Sequence, residues 1–221
     1  MIQAIISSLI APATGLLGVY LGGVIATKRE EAAFIRQQKN NAEYAVIRIL
    51  CVLDEYAEKC TDVVCDDGTS CGRPAGRTSS GEEFYEPQVK CPEPPVFPSD
   101  IEWKSIPNNL TYKILMLPVK ARDVNRDILM SSEHSFPPRY EAIFDARMEG
   151  YAKLALSALE LAKEIRGNFK YPQESTRFNA LSDDHRAFLN NKVKEIQMRQ
   201  GESEVDRSDS ARNSEVQETN Q

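Results

Sequence analysis

No charged side chain precedes Lys28. The run from Ile2 to Ala26 holds eleven Ile, Leu and Val residues, interspersed with Gly15, Gly18, Gly22, Gly23, Ser7, Ser8 and Pro12. A bilayer core of ~30 Å needs a helix of about 20 mostly apolar residues, and this run is long enough. A helix buried in a globular domain is seldom apolar on every face over such a length. The branched residues contribute on the order of −5 kcal/mol toward insertion, and the glycines, serines and proline oppose it. A cleaved secretory signal would begin with positive side chains and carry a shorter apolar core. Here the start is "MIQA", and the small-residue stretch "APA" at 11–13 falls in the middle of the run. The expectation is an uncleaved transmembrane anchor over 1–27.

The flanks predict its orientation. Lys28, Arg29, Arg36 and Lys39 all follow the run. Basic residues stay on the cytoplasmic side, whereas Glu30 and Glu31 count for little. This predicts an outside N-terminus and a cytoplasmic C-terminal part of a single-pass protein, at a bacterial inner membrane. Within the anchor, Ala11, Gly15, Gly18, Gly22 and Ala26 recur at spacings of three and four. At 100° per residue they share an arc of about 80°. Gly18 and Gly22 form a G-x-x-x-G pair, which lets two helix backbones approach in lipid. These five residues are the candidate helix-packing site, and they suggest a homo-oligomer.

The rest of the chain reads as all-α. From Lys28 to Asp67 no proline or glycine intervenes, and Val46, Ile49, Leu53, Tyr56, Cys60 and Val63 form an apolar helical stripe. This predicts a long amphipathic helix over 28–66, continuous with the anchor and stopped by Gly68. Residues 67–99 are rich in Gly, Ser and Pro and predict a long loop without a convincing strand. A helical bundle is expected over 100–199. Ser99 and Glu102 suit a capping box, and Pro107 and Pro118 each suit the first turn of a new helix. Three short helices are therefore expected near 100–106, 108–117 and 118–133. The best-marked helix lies between Pro138 and Gly167, where Phe144, Tyr151, Ala158 and Ile165 recur every seven residues, a coiled-coil-like spacing. A last helix is expected over 183–199 with Ser182 as N-cap. The tail 200–221 is polar and acidic and predicts disorder.

Composition narrows the function. The net charge of the 221 residues is −6, and the tail alone, with six acids and two arginines, carries −4. No basic stripe suited to a nucleic-acid backbone stands out, so no nucleic-acid partner is expected. Walker, G-x-S-x-G and H-E-x-x-H signatures are absent, and no catalytic residue is assigned. His134 and His185, the acidic pair Asp66-Asp67 and the pair Glu82-Glu83 read as solvated. Five cysteines, Cys51, Cys60, Cys65, Cys71 and Cys91, make neither a tidy disulfide framework nor a C-x-x-C knuckle. They read as reduced thiols, with Cys51 and Cys60 shielded on the helix and Cys71 and Cys91 accessible. No metal and no cofactor are expected. The implied protein is a non-enzymatic, membrane-anchored helical interaction or scaffold protein, bacterial or phage-encoded. It would touch the lipid bilayer through its N-terminal helix and a protein partner whose identity the residues do not specify. An accessory or regulatory subunit of an envelope complex is the alternative, and a Cys-based metal or redox protein is a weaker one.

Overall fold

A computed structural model describes residues 2–133, 141–171 and 184–201, with side chains from Tyr20 onward in the first helix. Helix α1 runs unbroken over Ile2–Val64. Helix α2 spans Asn108–Glu133, α3 spans Glu141–Phe169, and a further helix, α4, covers residues 184–201. A 3-10 turn at Trp103–Ser105 precedes α2. The protein is thus all-α in its long elements. Two-residue strands, β1 (Gly76–Arg77) and β2 (Glu83–Phe84), pair antiparallel within the loop that read as strandless.

Side-chain pairs give the directions. Arg147 of α3 meets Asp66 just beyond the end of α1, while Tyr171 reaches the Glu43 carbonyl near the start of its packed part, so α3 runs antiparallel to α1. Lys113 pairs with Glu164, and Asn125 with Tyr151, so α2 runs antiparallel to α3 and parallel to α1. Arg186 reaches the Leu159 carbonyl and Gln197 meets Glu149, so α4 runs antiparallel to α3. Two consecutive helices that run parallel need a chain segment returning along their whole length. That requirement explains the long loop. Val89 is held at the Asp66 end and Asp100 at Arg48, eighteen helix positions earlier. The gap is about 27 Å along a helix. The eleven steps from Val89 to Asp100 cover it at about 2.5 Å each, more than the ~1.5 Å rise of a helix, so the segment cannot be helical throughout. "CPEPPVFP" suits that path, because proline lacks the N–H that a helix would use.

The core lies between α1, α2 and α3. Ile49, Leu53, Cys60 and Val63 of α1 meet Leu110, Ile114 and Leu117 of α2 and Tyr151, Ala155, Ala158 and Ile165 of α3, all essentially buried. Each large aliphatic side chain so buried contributes about 1.5–3 kcal/mol. Leu189 of α4 joins them, and Val89 and Phe97 of the return segment and Trp103 of the 3-10 turn pack against the rim. Alanines at 152, 155, 158 and 162 keep α3 thin where its neighbours approach. Gly150 serves the same end: a Cβ there would meet Val124 Cγ1 of α2 at 2.5 Å.

Some expectations are corrected. The three helices expected over 100–133 are one 3-10 turn and a single helix, with Pro118 inside α2. The backbone bond lost at Pro118 is outweighed by Ile114, Leu117 and Ala121, which carry one buried face straight past it. Gly167 does not end α3, which continues to Phe169. There Lys170 takes a left-handed conformation (φ 54°), its N–H donates to Gly167 and that of Tyr171 to Arg166. These are the two bonds of a Schellman closure. Ser182, Pro138, His134 and the tail from residue 202 lie outside the described residues, as do the side chains of residues 1–19. Among the described residues no helix is long and apolar enough to cross a membrane.

Candidate functional site

The five small residues of the expected packing face divide between two regions. Ala11, Gly15 and Gly18 fall where side chains are not described. Gly22 and Ala26 lie on the next turns of α1, exposed, and a Cβ built on Gly22 would meet no atom within 4 Å. Every described side chain from Tyr20 to Asn40 is exposed, including Tyr20 (70%), Phe34 (61%) and Ile35 (65%). Burial begins at Ala42 and follows the stripe that enters the bundle. From Lys28 to Asn40 α1 is therefore a bare arm about 20 Å long, and Asn41 is the first side chain to reach the bundle, donating to Glu102.

The bundle's buried polar centre lies at the opposite end. Asp66 follows the last turn of α1, and its Oδ1 accepts the Gly68 N–H at 3.0 Å, an Asx turn that carries the chain away from the helix. Its Oδ2 accepts the N–H groups of Gln88 and Val89, each at 2.9 Å, and Arg147 Nη2 at 3.2 Å. Arg147 also donates to the Val89 carbonyl at 2.6 Å and to Cys91 Sγ at 3.0 Å. The Asp66 and Arg147 side chains are only 2% and 8% exposed. This ion pair thus fastens the start of the return segment to both α1 and α3. Gly68 is required here, since its φ of 75° is left-handed and Phe144 packs where a Cβ would lie. Reading Asp66 as a solvated charge is corrected; Asp67 and the Glu82-Glu83 pair do lie at the surface. The missed signal was Arg147 itself, one charge on the apolar face between Phe144 and Tyr151.

Beside this centre a groove of about 510 Å³ runs between α1 and the return segment, with Val52, Tyr56 and Lys59 on one wall and Cys91, Pro94 and Val96 on the other. At its floor the Tyr56 hydroxyl is buried and makes no well-formed hydrogen bond, with the Cys60 thiol as its polar neighbour. Burial, and then Cys60, push the Tyr56 hydroxyl far above the ordinary phenol range. Burial likewise pushes the Cys60 thiol up to about 12, so it is not a nucleophile near neutrality. The Tyr151 hydroxyl, which donates to Asn125 Oδ1, is raised mainly by burial too.

The cysteines differ in exposure. Cys60 is buried, Cys91 is half-buried under Arg147, and Cys51, Cys65 and Cys71 are exposed. The expected shielding of Cys51 and free access to Cys91 are both corrected, because Cys51 sits on the outer face of α1. Among the described residues no three His, Cys, Asp or Glu groups are placed to hold a metal ion. His185 is half-buried, not solvated, with Nε2 3.0 Å from Thr61 Oγ1. That hydroxyl already donates to the Ala57 carbonyl, so His185 Nε2 is the donor and the contact joins α4 to α1. Compared with protein-family models, curated proteins and solved structures, the chain matches none.

Proposed function

We propose that this protein is a non-enzymatic, membrane-anchored interaction protein that holds a small helical bundle at the cytoplasmic face of a bacterial inner membrane and self-associates through its anchor. One observation carries the reading. Helix α1 is unbroken from Ile2 to Val64, yet its described side chains before Asn41 meet nothing in the bundle. An arm continuous with an uncharged, Gly-rich segment suits an anchor plus spacer. Ala11, Gly15, Gly18, Gly22 and Ala26 are the proposed contact between two anchors. The non-enzymatic reading is supported by the bundle's polar centre, whose buried Asp66–Arg147 pair directs its Oδ and Nη atoms to Gly68, Gln88, Val89 and Cys91 of the protein itself.

Extraction of the full chain tests both halves. The protein is expected to stay with membranes through a high-salt wash and to leave only with detergent, then to elute as a dimer or larger species. Gly18→Ile and Gly22→Ile keep the segment apolar, so they should remain in membranes but elute as monomers. Release by salt alone would dismiss the anchor, and unchanged oligomers in both variants would dismiss the glycine contact. A second reading, an accessory subunit of an envelope complex, is favoured by the groove along the return segment, which suits an extended partner chain.

A further inference from the structure

The exposed arm of α1 has a polarity that its net charge hides. Lys28, Arg29, Arg36 and Lys39 are its four bases, and Glu30, Glu31 and Glu43 nearly cancel them in sum. At 100° per residue, however, the four bases fall within one arc of about 100°, while Glu30 and Glu31 lie outside it on the far side. Glu43 lies within the arc but one turn past Lys39 along the helix, where it stands 3.7 Å from the Lys39 ammonium. All four bases are exposed, and among the described residues Lys28, Arg29 and Arg36 have no carboxylate within ion-pair distance.

We infer that this face of the arm binds the headgroups of anionic phospholipids and so sets the direction in which α1 leans on the bilayer; the inference rests on the anchored reading above. The distances suit it. Lys28 and Lys39 are about 16 Å apart along the helix. The headgroup layer is about 5–8 Å deep on each side of the hydrocarbon. Attraction from an anionic surface reaches roughly another 8 Å at physiological salt. A lean of about 20°, the ordinary tilt of a membrane helix, brings Arg36 and Lys39 closer still. Bases in this juxtamembrane position are each attracted to anionic lipid. Two anchors packed through Gly18 and Gly22 cross at about 40°, so their arms diverge and the bases on each stay open to lipid.

The test uses the full chain in vesicles of phosphatidylcholine, with and without phosphatidylglycerol, read by flotation and by the rate of lysine acylation at Lys39. Lys163, exposed on α3, is the internal control. The expected result is flotation with both vesicles, and Lys39 acylation at least about threefold slower with the anionic ones. The slowing should vanish at ~1 M salt, where screening acts within about 3 Å. It should also shrink in the double variant Arg29→Gln, Arg36→Gln, with Lys163 unchanged throughout. Flotation with both vesicles but equal Lys39 rates would overturn the inference and leave the anchor standing. Salt-sensitive flotation with anionic vesicles alone would overturn the anchor and the lean that rests on it, leaving only surface attraction to anionic lipid. Protection of Lys39 in native membranes but not in protein-free anionic vesicles would overturn the lipid and assign the face to an acidic protein.

Discussion

Lys170 occupies a position that its side chain makes costly. It stands at the left-handed residue of the α3 closure, where a Cβ crowds the backbone by about 1–2 kcal/mol and glycine suffers no such penalty. Lys170→Gly is therefore expected to stabilise the protein by about 1 kcal/mol, seen as a higher urea midpoint at unchanged slope. A lower midpoint would mean that the Lys170 stem contributes more than its strain. The sequence pointed to Gly167 as the stop, since glycine is the usual residue there. The chain instead runs on while Ile165 and Arg166 are still buried and closes four residues beyond Arg166, at Lys170. Arg166 owes its place to Asp54, whose carboxyl burial holds above the usual range despite the ion pair.

The return segment from Asp66 to Asp100 is the element on which the topology turns. Its anchor is one carboxylate that takes three backbone N–H groups and one guanidinium. Removing the charge from a buried pair strands its partner, at about 3–5 kcal/mol. Asp66→Asn also turns an N–H donor toward the amides of Gln88 or Val89. The expected result is a loss of about 3 kcal/mol or more in urea unfolding. Faster tryptic cleavage at Lys90 should accompany it, because the segment loses its attachment. A loss under about 1 kcal/mol would show that the pair is replaceable by water. Composition had made this segment legible as irregular and proline-rich. Its order was not legible, because the partners that create it lie about eighty residues apart, at Asp66 and Arg147.

At the scale of the whole molecule, buried acids that hold their protons make the fold sensitive to alkali. The folded state keeps the Cys60 proton up to about 12, whereas the unfolded chain releases it in the ordinary thiol range. Between those limits the unfolded state binds fewer protons, so stability falls as pH rises. The loss is about 1.4 kcal/mol per pH unit for each such group. Urea midpoints taken from about pH 8 upward should therefore decline, and Cys60→Val should flatten the part of the decline nearest the thiol range. Equal slopes would mean that Cys60 keeps its ordinary ionisation. Tyr56 and Tyr151, also raised, deepen the decline at higher pH. The helical class, the apolar stripe from Val46 to Val63 and the face through Tyr151 and Ile165 follow from local periodicity, which any stretch of chain carries within itself. The uncharged run before Lys28 likewise sets an expectation of lipid contact from its own residues. Tertiary structure alone decided that α1 and α2 run parallel, that Pro118 stays within one helix, and that Asp66 is buried while its neighbour Asp67 is not. Those outcomes depend on pairings between distant positions, whose energies exist only once the helices have met.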